Sequence, residues 1–335
     1  MRIVLDAMGG DYAPVEVVKG AVEAAKDESL TIILVGDQAR VGLELKKYPK
    51  KHNIETVHAS EDIAMSEHPV EAVRVKKDAS INVCMRLVKE GKADAVVSAG
   101  NTGAVMAAAL FGLGRVKGIE RPAICSAFPA VKGHVVVLDI GANSDCRPAH
   151  LVQFAYMGKA YIEKVIGVAN PRIALLNIGE ENEKGNELTT AANKLLRGEV
   201  INGLNFIGNI EGKDILENEA DVVVCDGFVG NVVLKFAEGL VFSMAKLFRQ
   251  QFLQWWPSLI GLFLQLPALR SVKAKIDYTE YGGAPLLGVN GVVIITHGRA
   301  KSKTIKNSIR AAAVAVRQNL IDAIARIKKV ELPVA

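Results

Sequence analysis

The residues of this chain that have chemistry to offer lie in short turns rich in glycine, asparagine and aspartate. Ser98-Ala99-Gly100-Asn101-Thr102-Gly103 joins the apolar run Ala93 to Val97 to an alanine-rich stretch ending near Leu113. The run reads as a buried strand, and AVMAAALFGL reads as a helix packed closely on something flat. Gly100 and Gly103 let a ligand approach the backbone, Asn101 and Thr102 add short polar groups, and the first helical N–H groups point outward with the positive end of the dipole. Such a turn holds an anion. The pattern recurs at Asp6-Ala7-Met8-Gly9-Gly10-Asp11, Asp139-Ile140-Gly141-Ala142-Asn143, Asn177-Ile178-Gly179-Glu180-Glu181 and Asp226-Gly227-Phe228-Val229-Gly230-Asn231. In a parallel sheet these turns share the carboxyl edge, where ligands of open α/β sheets bind. One cleft lined by five turns is the expectation.

Individual side chains leave alternatives open. Asp139 closes a strand before a helix and can orient a ligand or cap the helix; Asn231 can cap its helix or reach a substrate oxygen. Lys184 stands among Glu180, Glu181, Glu183 and Glu187, and on spacing alone it is a surface ion-pair residue worth little. Cys84, Cys125, Cys146 and Cys225 show neither CxxC nor zinc spacing, so free thiols in a reducing compartment are expected. Cys225 has no neighbouring base and reads as packed and inert. His52 and His58 lack partners at metal spacing. His297, at a strand end, is placed for base work, but phosphate near neutral pH is already partly dianionic and needs no base. The chain has no GxSxG, GxGxxG or GxxxxGK[ST]. No metal and no cofactor are expected.

DAMGGD, SAGNTGA, Gly118 to Ala123 (GIERPA), DIGAN, NIGEENEKGNEL and DGFVGNVVLK occur in this order across most of the chain. Together they resemble the bacterial phosphate acyltransferase family of phospholipid synthesis. The resemblance implies transfer of a fatty acyl group from acyl-acyl-carrier protein to inorganic phosphate, giving acyl phosphate for a downstream glycerol-3-phosphate acyltransferase. It makes Lys184, in Lys184-Gly185-Asn186-Glu187, a catalytic residue facing the acyl and phosphate groups, with Asn231 orienting the carbonyl or the phosphate. Substrate contacts are then expected at Gly9, Gly10, Ser98, Gly100, Asn101, Thr102, Gly103, Asp139, Asn143, Asn186, Asp226 and Gly227. The family's basic segment is matched at Glu67 to Lys77, with His68 where relatives carry an acid. The reaction suits this inventory, because attack of bound phosphate on a thioester needs alignment and oxyanion stabilisation more than a covalent nucleophile. Two other readings remain: a metal- and NAD-dependent decarboxylating dehydrogenase of related fold, and a membrane-surface scaffold without chemistry.

The elements that must position these turns alternate. Apolar runs at 2–5, 31–36, 54–58, 93–97, 123–128, 134–140, 172–178, 204–208, 221–225 and 292–296 read as strands between helices, with a short helix near Asp214 to Glu217 and a long one from about Val232. The fold class is α/β: a three-layer αβα sandwich around a largely parallel sheet, resembling isocitrate and isopropylmalate dehydrogenases, with a protruding helical hairpin. Residues 1–335 form one catalytic unit, with 240–278 as a helical excursion. Within it, Phe252 to Leu269 carries both tryptophans between basic flanks, and Pro257, Gly261 and Pro267 break it below the ~20 residues of a membrane span. It suits the dimer interface of a homodimer, a membrane surface, or both. The 41 basic and 36 acidic residues are interspersed, which excludes a dedicated nucleic-acid binder and suits an acidic partner. The amino terminus lacks secretory-signal features, so a cytoplasmic protein, peripheral to the inner face of the plasma membrane, is expected.

Overall fold

Alternation along the strands sets the layers. Ile3 and Leu5 of β1 (Arg2–Asp6) join one buried cluster and Val4 joins another, so both faces of the sheet are covered. A computed structural model describes residues 1–49, 52–131, 133–198, 203–254, 264–265, 267 and 282–327. After β1 come α1 (Val15–Ala24), β2 (Thr31–Gly36), α2 (Gln38–Leu45), β3 (Ile54–His58), α3 (Pro69–Val75), α4 (Ser80–Lys89), β4 (Ala95–Ser98) and α5 (Thr102–Gly112). β5 (Ala123–Pro129), β6 (His134–Leu138), α6 (Pro148–Tyr161), β7 (Arg172–Leu176), α7 (Glu187–Arg197), β8 (Asn205–Ile210), β9 (Val222–Val224) and α8 (Gly227–Gln254) follow. β10 (Ala284–Leu287), β11 (Val292–Ile295), α9 (Ser302–Arg317) and α10 (Leu320–Ala325) complete the described chain. One face is packed by α1, α6, α7, α9 and α10, the other by α3, α4, α5 and the start of α8. The three-layer sandwich is as expected.

The strand order is β3-β2-β1-β4-β11-β10-β5-β6-β9-β7-β8. The first five strands are mutually parallel, and so are the last four. Between them β10 runs antiparallel to β11 and β5, and β6 antiparallel to β5. The two parallel sets therefore run in opposite directions. Turns after β1, β4 and β11 lie on one edge of the sheet, which we call the first; turns after β6, β7 and β9 lie on the other, the second. This overturns the expectation of a single edge shared by five turns. β4 and β6 are also four places apart in the order, about 19 Å across the sheet.

Other differences are local. The basic segment contains a helix, α3, because Pro69 at its first turn supplies the φ a helix start needs. Residues 212–218 form turns in place of a short helix, and the long helix starts five residues earlier than Val232, at Gly227. β10, which the apolar runs did not mark, follows Gly283. α9 and α10 are separated where Asn319 takes a left-handed φ of 52°. The Trp-rich segment and most of the 240–278 excursion lie outside the described residues, but α8 projects with Val232, Phe236, Leu240, Phe242, Leu247 and Phe248 exposed. Gly227–Phe252 is long and apolar enough by length and composition to cross a membrane, yet Val233, Leu234 and Ala237 pack on the sheet.

Candidate active site

On the first edge Asp6 organises the turns. Its Oδ1 accepts the N–H groups of Met8 (3.2 Å) and Gly9 (3.1 Å) and the Ser80 hydroxyl (2.6 Å), and its Oδ2 accepts the Ser98 hydroxyl (2.7 Å). Burial pushes this carboxyl above the usual aspartate value, against the pull of those donors. Ser98 Oγ also accepts Gly100 N–H at 3.0 Å and is fully buried. A Cβ on Gly9 would stand 2.7 Å from Gly100 N. Gly9 lets one turn approach another, and Gly10 serves a left-handed turn with φ of 103°. Asn101 caps α5 through Ala104 N–H and donates its amide to Met65 O at 2.9 Å. Gly103 lies against Pro69. Thr102 is left exposed, and the N–H groups of Thr102 and Gly103 precede the first intrahelical bond, Val105 N to Asn101 O.

The second edge uses the same device at Asp139. Its Oδ1 accepts N–H groups of Ile124 (3.1 Å), Gly141 (3.1 Å) and Ala142 (2.9 Å); its Oδ2 accepts Asn143 N–H (2.7 Å) and the Asn143 side-chain amide (2.8 Å). Burial again raises the carboxyl's pKa above the ordinary value while the donors oppose it. Asn143 further donates to Pro122 O at 2.7 Å. Gly227 N–H bonds Asn143 O, and a Cβ on Gly227 would stand 2.7 Å from Asp139 Oδ2. Asp226 caps α8 through Val229 N–H. Asp139, Asn143, Asp226 and Gly227 thus build the edge through their mutual hydrogen bonds and close packing.

Lys184 and Asn231 are brought to this edge and left available. Lys184 N–H bonds Glu181 O, and Lys184 O accepts the Asn177 amide at 2.9 Å, so its backbone is tied on both sides. Gly185 makes this possible, because its φ is 109° and a Cβ would fall 2.4 Å from Asn177 Oδ1. The side chain leans over Gly179, is exposed, and makes no ion pair among the described residues. Asn186 is the α7 cap, accepting Thr189 N–H at 2.9 Å. Asn231, half-buried and the fifth residue of α8, lies against Gly141.

Amides that the spacing did not single out support the loop. Arg197 Nε donates to Asn193 Oδ1, Asn193 to Asn209 Oδ1, and Asn209 to Glu181 O at 2.8 Å. Asn193 and Asn209 are buried polar residues, on an amphipathic helix and within a strand respectively; that displacement from the usual pattern was the signal. His297 Nδ1 accepts Arg299 N–H, a turn role. All four cysteines are free; burial, with Asp139 and Asp226 nearby, pushes the half-buried Cys146 up to about 12. No group of three or more His, Cys, Asp or Glu side chains gathers as a metal site among the described residues.

The architecture is thus a mixed eleven-stranded αβα sheet with amide-lined turns on both edges and, beside one of them, a lysine without an ion pair among the described residues. Phosphotransacetylases from Streptococcus pyogenes (TM-score 0.64, 18% identity, 95% of this chain and 94% of that one) and Staphylococcus aureus (TM-score 0.62, 17%, 94% of each) share it. So does 4-hydroxythreonine-4-phosphate dehydrogenase from Klebsiella pneumoniae (TM-score 0.52, 14% identity, 94% and 97%), which accounts for the dehydrogenase-like architecture. The model of the fatty acid synthesis protein family matches residues 1–323, and the chain belongs to that family. Its relatives include the phosphate acyltransferases of Heliobacterium modesticaldum, 55% identical over 326 residues (97% of this chain, 96% of the relative), and Pelotomaculum thermopropionicum, 52% over 322 residues (96% and 93%). The protein is an acyltransferase, so the dehydrogenase and scaffold readings fall.

Proposed function

We propose that the protein moves a fatty acyl group from the thioester of acyl-carrier protein to inorganic phosphate. A phosphate oxygen attacks the thioester carbonyl, the C–S bond breaks, and the carrier leaves as a thiolate that takes up a proton; acyl phosphate is the product. The family match along residues 1–323 carries the reading. We assign the chemistry to the second edge, because the turns that carry Lys184 and Asn231 both lie on it. The Lys184 ammonium offsets charge on the carbonyl oxygen or departing sulfur, and the Asn231 amide orients carbonyl or phosphate. Phosphate is held beside them, not at Gly100–Gly103 on the opposite edge as the sequence suggested. The exposed apolar side chains of α8 begin at this site and suit a second copy of the chain. With Phe252–Leu269 they also suit the cytoplasmic membrane surface, where a downstream glycerol-3-phosphate acyltransferase would take up the product.

The test is phosphate-dependent release of carrier thiol, with acyl phosphate trapped by hydroxylamine. Lys184→Ala should lower kcat about 100- to 1,000-fold with an unchanged melting temperature, and Thr102→Ala should leave the phosphate KM alone. No thiol release on adding phosphate would overturn the reaction. A raised phosphate KM in Thr102→Ala, with Lys184→Ala active, would move the site to the first edge.

A further inference from the structure

Beside the second edge, residues 114–121 form a turn whose apolar and basic residues point opposite ways. Val116 and Ile119 are 2% and 5% exposed, while Arg115, Lys117 and Arg121 are exposed. The turn is pinned from beneath. Val116 N–H bonds Gly288 O, the Asn290 amide donates to Arg115 O at 2.8 Å, and the buried Gln153 of α6 donates to Gly118 O (3.1 Å) and accepts Glu120 N–H (2.9 Å). Arg147, at the start of α6, adds a fourth exposed cation and pairs with Glu120. Asp145 is the other exposed acid nearby in sequence, and Lys117 and Arg121 make no ion pair among the described residues. Pro122, next to Arg121, accepts from Asn143, whose carbonyl holds Gly227 at the start of the helix that carries Asn231. The basic turn and the catalytic edge are therefore continuous.

We propose that Arg115, Lys117, Arg121 and Arg147 form the surface on which the acyl donor's carrier docks: an acidic protein presenting its thioester on an arm. The inference rests on the thioester-to-phosphate reading above. Exposed cations are screened by solvent and hold a small free anion weakly, but several held rigidly together steer and orient a charged macromolecule. Pinning the turn removes the ordering cost that a mobile basic loop would impose on binding. The position beside Asn231 lets a docked carrier deliver its arm to the lysine.

The experiment compares two donors, acyl-carrier protein and the same acyl group on N-acetylcysteamine, which keeps the thioester and lacks the protein. Lys117→Glu with Arg121→Glu should raise KM for the carrier donor about tenfold or more, leaving kcat and all constants for the small donor unchanged. The neutral pair Lys117→Gln with Arg121→Gln should fall between. Lys19→Glu on α1 should change nothing, and added salt should raise the carrier KM of the unsubstituted protein more than that of the reversed pair. An unchanged carrier KM in the reversed pair, or equal losses on both donors, overturns the docking surface. Failure of the unsubstituted protein to release thiol from either donor with phosphate overturns the reaction itself.

Discussion

Asp6 and Asp139 solve one local problem at two places: each ends a strand inside the protein and gathers the N–H groups of the turn that follows. Five donors converge on Asp139, and an asparagine there keeps the shape but turns one acceptor into a donor facing Asn143. Asp139→Asn should cost about 3 kcal/mol, the penalty of unmet buried donors, read as a lower urea midpoint. His150 makes a pH-dependent counterpart. Its Nδ1 accepts Arg147 N–H at 3.0 Å, and its Nε2 lies 3.2 Å from Glu120 Oε2 and 3.4 Å from Arg147 Nε. Burial, then the Arg147 guanidinium, hold its pKa below the ordinary histidine value; Glu120 pulls the other way, and Arg121 adds to the depression. The unfolded chain therefore binds a proton that the folded one refuses. Stability should be full above about pH 6.5 and fall as the pH drops below it. Melting temperatures across that range should show the slope, and His150→Gln should flatten it. At this scale the sequence showed which residues cluster but not what they face. Gly9, Gly100 and Gly227 looked like openings for a ligand and are contacts between turns, because a one-dimensional pattern does not say whose backbone approaches.

Helices and strands were more legible than their directions. Alternation and apolar runs mark where a strand lies, but not which way it points. Part of the reversal was nonetheless written in two short connections. Residues 130–133 link β5 to β6, too few for a parallel crossover, and Asn290-Gly291 ends the link between β10 and β11, a hairpin signal. Those two links supply two of the three antiparallel pairings; the third, β10 against β5, joins segments far apart in the chain, and it makes the count of reversals odd and so divides the turns between two edges. The helices offer a paired prediction. Gly20 of α1 has no room, since a Cβ would meet Ile305 Cβ at 2.6 Å and Ser302 O at 2.9 Å; Gly42 of α2 has nothing within 4 Å. Gly20→Ala should destabilise by about 1–3 kcal/mol as α9 is pushed off α1. Gly42→Ala should stabilise by about 0.5–1 kcal/mol through helix propensity. Chemical denaturation of the two variants side by side checks both signs.

For the molecule as a whole, the family was readable because its motifs are spread over most of the chain, so their order could be tested as well as their presence. The location of the chemistry was not, since it depends on how the two parallel sets are joined. β11 pairs with β4 and separates it from β10, and Ser302 N–H bonds Glu16 Oε2 at 2.7 Å, so the last described elements complete the first. A nascent chain leaving the ribosome without residues 284–295 would carry β4 as an open border, ready to pair with the wrong neighbour. Synthesis and folding are thereby uncoupled: the earliest strands must wait for the latest, and a stalled or clipped product is a substrate for chaperones rather than a smaller working enzyme.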